Sequence, residues 1–169
     1  MVSEQEIWKI LQEVNDPEIP VLSIIDLGIV RDVQITPLSR PDGEEQEVRL
    51  TITPTYSGCP AMDVISMDIR LKLIEKGYRN ISIVQSLSPA WTTDWMSEEG
   101  KRKLKEYGIA PPNTKQQFCK VDMFMEEAVQ CPRCNSHHTQ LLSQFASTAC
   151  KSMYQCIDCK ETFDYFKCH

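Results

Sequence analysis

TPTYSGCPAMDVISMDIRLKLIEKG, residues Thr53 to Gly77, changes its hydrophobic period part-way, and that change organises the reading of the rest of the chain. Just upstream, Val48, Leu50 and Ile52 alternate with polar residues, the period of a half-buried strand. Downstream, Pro60 is a favoured first helical residue, and Met62, Ile65, Ile69 and Leu73 fall on one helical face until Lys76-Gly77 closes the segment. Val64, Met67, Leu71 and Ile74 widen the apolar arc, so the helix is expected to be largely buried. One cysteine, Cys59, stands at the switch between Gly58 and Pro60.

Outward from this point the pattern is regular. Ser3 and Glu6 fit a capping box ahead of Ile7, Ile10, Leu11 and Val14, predicting a helix that stops at Asn15-Asp16-Pro17. After the turn-rich DPEIPVLS, a strand is expected through Leu27, Ile29, Val33 and Ile35, joined to the Val48–Ile52 strand as a hairpin by the polar PLSRPDGEEQ. A third strand follows at Ile81, Ile83 and Leu87. Ser97 then caps a shorter helix, Glu98 to Tyr107, with Gly108 at its exit and Pro111-Pro112 beyond. The expected architecture is a small αββαβα domain over residues 1–110 and a linker over 111–130, with a short element near Val121 to Met125. A separate module of residues 131–169 completes it.

Composition narrows the function. The chain has 169 residues, 41% hydrophobic and 25% charged, the make-up of a soluble globular protein. No run of about 20 apolar residues occurs, and MVSEQEIWKI has no basic leader, so a cytoplasmic protein without membrane association is expected. Its net charge is −6, and residues 131–169 hold only four Lys/Arg against three Asp/Glu. Counterion release on a phosphate backbone needs clustered cations, so nucleic acid is not an expected partner. In a reducing compartment, eight cysteines with two CxxC pairs point to metal rather than to disulfides.

Cys59 lies at the expected start of a helix, where free N–H groups and the dipole favour negative charge, so its thiolate is expected to be stabilised. Gly58 allows a positive φ or close backbone approach, and Thr53, Thr55, Tyr56 and Ser57 supply hydroxyls. The bland alternative is a small buried hydrophobe at a tight turn. A Cys-His nucleophile is disfavoured, because His137, His138 and His169 all lie in the terminal module. Asp16, Glu18, Asp26 and Asp94 are candidate supporting carboxylates, although turn chemistry is the favoured reading of Asp16 before Pro17. Trp91 and Trp95 read first as packing at a core edge and second as a binding face.

CPRC at Cys131 and Cys134 and CIDC at Cys156 and Cys159 form two knuckles separated by 21 residues. Four thiolates match tetrahedral Zn²⁺, with mononuclear iron as the alternative, and the bound ion would supply stability that this short segment lacks. Strands are expected at Gln140 to Gln144, Ser152 to Gln155 and Thr162 to Phe166. Cys119, Cys150 and Cys168 stand outside the tetrad, the last two as residues that can approach each other or the metal.

DPEIPVLSIIDLGIV, TPTYSGCPA, SPAWTTDWM with EYGIAPP, and the CPRC…FASTACK…CIDC…FDYFKC ending together resemble the PaaD family, the D components of phenylacetyl-CoA ring epoxidase systems. The first part also resembles the wider iron–sulfur cluster assembly domain family. The resemblance implies that Cys59 is the residue tied to cluster assembly, with Asp16 and Glu18 in the accompanying acidic motif. It implies a zinc ribbon at the C-terminus and transient handling of iron or a cluster at Cys59. The implied partners are the oxygenase or the reductase of the epoxidase, whose metal centre would be matured, the chain itself carrying no catalytic residues. The alternative is a non-catalytic scaffold of that complex.

Overall fold

The computed structural model describes residues 3–40, 43–112 and 129–167. The chain forms two compact units, Met1–Trp91 and Thr92–His169.

In the first unit, α1 (Glu4–Leu11) is followed by β1 (Val30–Arg40), β2 (Gly43–Ile52), α2 (Ala61–Glu75) and β3 (Asn80–Gln85). Strand order is β1-β2-β3. β1 and β2 pair antiparallel from Val30 opposite Ile52 to Arg40 opposite Gly43, and β2 and β3 pair parallel from Glu47 opposite Asn80 to Ile52 opposite Gln85. The parallel pair requires the crossover that α2 supplies. Both β1 and β2 run on into the segment read from sequence as a polar loop, because ladder bonds form whether or not side chains alternate. Leu87 falls beyond β3 and is exposed.

Ser3 caps α1 by accepting the Glu6 N–H at 3.4 Å. The helix ends at Leu11, short of the expected Asn15-Asp16-Pro17, because the next residues fold back. Ile24 N–H donates to the Val14 carbonyl at 2.9 Å, Asp16 N–H donates to the Leu22 carbonyl at 2.8 Å, and Asn15 bridges Ser23. Residues 15–29 form an irregular but buried segment in which Ile19, Leu22, Ile24, Leu27 and Ile29 fill the core. Leu27 and Ile29 thus precede β1 rather than belonging to it. Buried irregular backbone needs side-chain partners. Asp16 Oδ1 accepts the N–H groups of Glu18 and Ile19, both at 2.8 Å. Asp26 Oδ2 accepts Ser23 N–H at 3.2 Å while Ser23 Oγ accepts Asp26 N–H at 3.0 Å.

α2 packs Ala61, Met62, Ile65, Ile69 and Leu73 into this core. The expectation that this helix is largely buried holds for one face only: Val64, Met67, Leu71 and Ile74 face solvent. A helix on a three-stranded sheet covers it with one face only, so the far side of the arc has nothing to pack against within the unit.

The second unit begins with a 3-10 turn (Thr93–Trp95) and α3 (Glu98–Tyr107), then β4 (Ile109–Ala110), β5 (Thr139–Ser143), β6 (Lys151–Cys156) and β7 (Thr162–Phe166). Ser97 accepts Gly100 N–H at 2.9 Å to start α3, and Gly108 at φ 92° ends it. The sheet order is β4-β7-β6-β5. Because β4 pairs with β7, Ile109 opposite Asp164, α3 and β4 fall within the same compact unit as the ribbon strands, rather than with the domain over residues 1–110 in which the sequence reading placed them. Ala110, Val129, Cys131, Tyr154, Cys156, Phe163 and Tyr165 form its core. The element expected near Val121 to Met125, and Cys119 and Cys168, lie outside the described residues. Among the described residues no helix is long and apolar enough to cross a membrane.

Candidate functional site

Each CxxC pair turns the chain in the same way. Cys131 N–H donates to the Ser136 carbonyl and Cys156 N–H to the Glu161 carbonyl, both at 2.8 Å, closing equivalent loops of six residues. The residue after each second cysteine takes a left-handed conformation, Asn135 at φ 61° and Lys160 at φ 65°. Two like knuckles therefore present their sulfurs to one point. The Sγ atoms of Cys131, Cys134, Cys156 and Cys159 all lie within 4.8 Å of one another, with Cys131 to Cys159 at 3.8 Å and Cys134 to Cys156 at 3.5 Å. Ligands about 2.3 Å from a central ion in a tetrahedron stand about 3.8 Å apart, so the four thiols fit a single tetrahedral ion. Cys131 and Cys156 are buried and Cys134 and Cys159 are exposed, so the ion would rest on the core with one side toward water.

Backbone N–H groups are aimed at these sulfurs. Those of Cys159 and Asp158, with the thiol of Cys134, draw the Cys156 thiol down to about 7. Around the tetrad, Asp158 is bonded by Ser136 and His138, with His138 Nδ1 at 3.1 Å, and these bonds hold its carboxyl below the usual range. Arg133 Nε meets Glu161 at 3.0 Å. Side chains of the two knuckles thus brace each other. Sequence reasoning gave Ser136, His138 and Asp158 no role beside the tetrad; their signal was position alone, inside a CxxC pair or within four residues after one.

Cys59 is half-buried, neither sealed among aliphatic side chains nor fully open. The α2 cap is Pro60, so Cys59, expected at the cap, sits one residue before it. Burial raises its pKa above the ordinary thiol value. The Ala61 N–H and the Tyr56 side chain work in the other direction, and the carboxylates of Glu18 and Asp16 add to the rise. This overturns the expected low-pKa thiolate: the hydrogen bonds from Ala61 and Tyr56 do not offset lost hydration and two nearby negative charges. Gly58 has φ +81° and open space where a Cβ would stand, so the glycine serves the backbone conformation and not a close approach.

The structure therefore brings Cys59, Glu18 and Asp16 into one electrostatic neighbourhood. Asp16 and Asp26 spend carboxylate oxygens on buried backbone. Asp94 is in the second unit, exposed, in the turn that Thr92 caps by accepting its N–H at 3.1 Å. Trp91 is buried and donates Nε1–H to the Leu27 carbonyl at 2.9 Å, which fits its packing role rather than a binding face. Cys150 is buried, 3.1 Å from Thr148 Oγ1 and outside the tetrad. Among the described residues, the tetrad is the one group of three or more His, Cys, Asp or Glu side chains placed to share an ion.

Residues 4–77 match the iron–sulfur cluster assembly protein family, and residues 115–167 match the PaaD zinc beta ribbon domain. An Escherichia coli K12 protein, provisionally named as the D component of a 1,2-phenylacetyl-CoA epoxidase, is 48% identical over 163 residues, covering 96% of this chain and 92% of its own length. A Porphyromonas gingivalis Fe-S protein maturation auxiliary factor is 37% identical over 103 residues, covering 60% of this chain and 90% of its own. The crystal structure of a domain of unknown function from Bacillus anthracis superposes with TM-score 0.50 at 27% identity, again covering 60% of this chain and 90% of that one.

Proposed function

The chain belongs to the PaaD family, an iron–sulfur cluster assembly domain combined with a zinc β-ribbon, and from that premise we propose that it is an accessory factor in assembling a metal centre of a phenylacetyl-CoA epoxidase system. The observation that carries this reading is the half-buried Cys59 on the loop leading into α2, with Glu18 and Asp16 beside it. The cargo is iron or an iron–sulfur cluster. Among the described residues Cys59 has no pair of further donors placed to share an ion with it, so a bound iron completes its coordination from the donor or the recipient. Its raised pKa makes the metal compete with a proton for the sulfur, which weakens the hold and suits passage to another site.

The receiving centre is the di-iron site of the oxygenase or the iron–sulfur centre of the reductase. The chain itself contributes ligand and docking surface rather than acid–base chemistry. Cys131, Cys134, Cys156 and Cys159 hold one Zn²⁺ as a structural ion with all four positions filled. The work takes place in the reducing cytoplasm, where these thiols stay unoxidised.

The test is to produce the oxygenase and reductase in cells together with this chain or its Cys59→Ser variant, then measure iron and acid-labile sulfide in each partner. Loss of metal from one partner, with the variant folded and its zinc retained, is expected. Fully loaded partners beside the variant would overturn the role of the sulfur.

The exposed apolar face of α2 favours a second reading, a scaffold that binds the oxygenase and passes no metal. It predicts a stoichiometric complex and unchanged metal content when this chain is deleted.

A further inference from the structure

The outward stripe of α2 is a regular feature of the helix. Val64, Met67, Leu71 and Ile74 are 46%, 63%, 52% and 56% exposed. Steps of three, four and three residues set them on one line, a coiled-coil-like seam about 15 Å long. They lie on the opposite face from Ile65, Ile69 and Leu73, which fill the core, so the fold of the unit does not use them. A contiguous row of large apolar side chains facing water marks a contact surface.

The flanks of the seam indicate what covers it. Asp68 and Glu75, seven residues apart, form one rail, and Asp63 and Arg70 form the other. Asp63 and Asp68 make no ion pair among the described residues. Against a second copy, antiparallel pairing sets Asp63 against Arg70 but Asp68 against Glu75. Parallel pairing sets Arg70 against Glu75 but Asp63 against Asp68. Either way attraction and repulsion cancel, and a net charge of −6 adds long-range repulsion between copies and from anionic lipid. A helix with Lys or Arg beside its own apolar seam instead meets the carboxylates of Asp63 and Asp68, that of Glu75 shared with Lys72 at 3.9 Å, and one guanidinium.

We propose that the Val64–Met67–Leu71–Ile74 seam of α2 is the docking face for a basic-flanked amphipathic helix of a partner protein. Two heptads bury much less than the roughly 800 Å² per partner of a stable complex, so this contact is brief or forms one part of a larger one. Only the identity of the partner, a component of the epoxidase system, rests on the function proposed above.

The experiment uses a fluorescent peptide of about three heptads, leucine at the seam positions and lysine on both rails, titrated into the full zinc-loaded chain at physiological salt. We expect it to bind at least about tenfold more tightly than the same peptide with glutamate rails. The Met67→Glu/Leu71→Glu variant should weaken it by a similar factor, and Asp68→Lys/Glu75→Lys should reverse the preference. Met67, Leu71 and Glu75 are exposed and Asp68 is partly so, and circular dichroism checks that each variant keeps its fold. Equal binding of the two peptides, or binding unchanged in the seam variant, would overturn the proposal. So would a dimer seen by sedimentation, or capture by anionic phosphatidylglycerol vesicles, that the seam variant abolishes. None of these readouts depends on iron transfer, which the partner metal measurements report separately.

Discussion

The sulfur of Cys134 lies 3.5 Å from that of Cys156, a residue 22 positions away, although the two belong to different knuckles. Four thiols held this closely are stabilised by a cation at their centre, and structural zinc supplies roughly 10–16 kcal/mol in zinc-finger peptides. We expect one zinc per chain by elemental analysis. A strong chelator, or Cys156→Ser, should abolish hydrogen-exchange protection in β5, β6 and β7. Protection in α1, β2 and α2 should persist, because their core contains none of these cysteines.

Cys59 should alkylate slowly. Its pKa is raised, so at mildly alkaline pH it holds less thiolate than a free cysteine, and its reaction with iodoacetamide should reach half-maximum at higher pH. Burial is the larger cause, and the Glu18 carboxylate adds to it. Glu18→Gln removes a negative charge that opposes ionisation, so it should move the midpoint back down by part of the shift. Peptide-resolved mass spectrometry reads Cys59 apart from the other thiols. A midpoint below that of free cysteine would contradict this account of the loop.

Gly58 separates strain from crowding. With φ +81° and nothing within 4 Å of a Cβ, Gly58→Ala has space but the wrong handedness. It should cost about 1–2 kcal/mol in urea unfolding. D-alanine placed there by ligation suits this φ and should cost much less.

Lys151 and Asp164, on neighbouring strands β6 and β7, meet at 3.2 Å with the lysine side chain only 6% exposed. Asp164→Ala leaves a buried ammonium without its partner and should destabilise the second unit by roughly 3 kcal/mol. Lys151→Met combined with Asp164→Leu should restore most of that loss in thermal unfolding of the zinc-loaded protein, since it removes both charges together.

Local signals in the chain were read well where one residue decides the outcome. Ser3 and Ser97 cap the helices they were expected to cap, and Gly108 ends α3 at positive φ. β6 and β7 fall on their expected stretches, and the four CxxC sulfurs converge. Less legible was any feature that depends on what lies opposite. Leu27 and Ile29 look like strand residues, yet they belong to a buried loop whose backbone Asp16 and Asp26 satisfy. Apolar character is the same in both settings, and only the fold-back that pairs Val14 with Ile24 separates them.

By itself, the amino-acid order determined which residues cap and turn, and which cysteines sit on like knuckles, because those choices depend on neighbours within a few positions. Tertiary structure alone decided that one apolar side of α2 is core and the other faces water, since a single sheet covers only one side of a helix. It also decided the ionisation of Cys59. The helix start favours the thiolate, but burial and the carboxylates of Glu18 and Asp16, about 40 residues earlier in the chain, outweigh it.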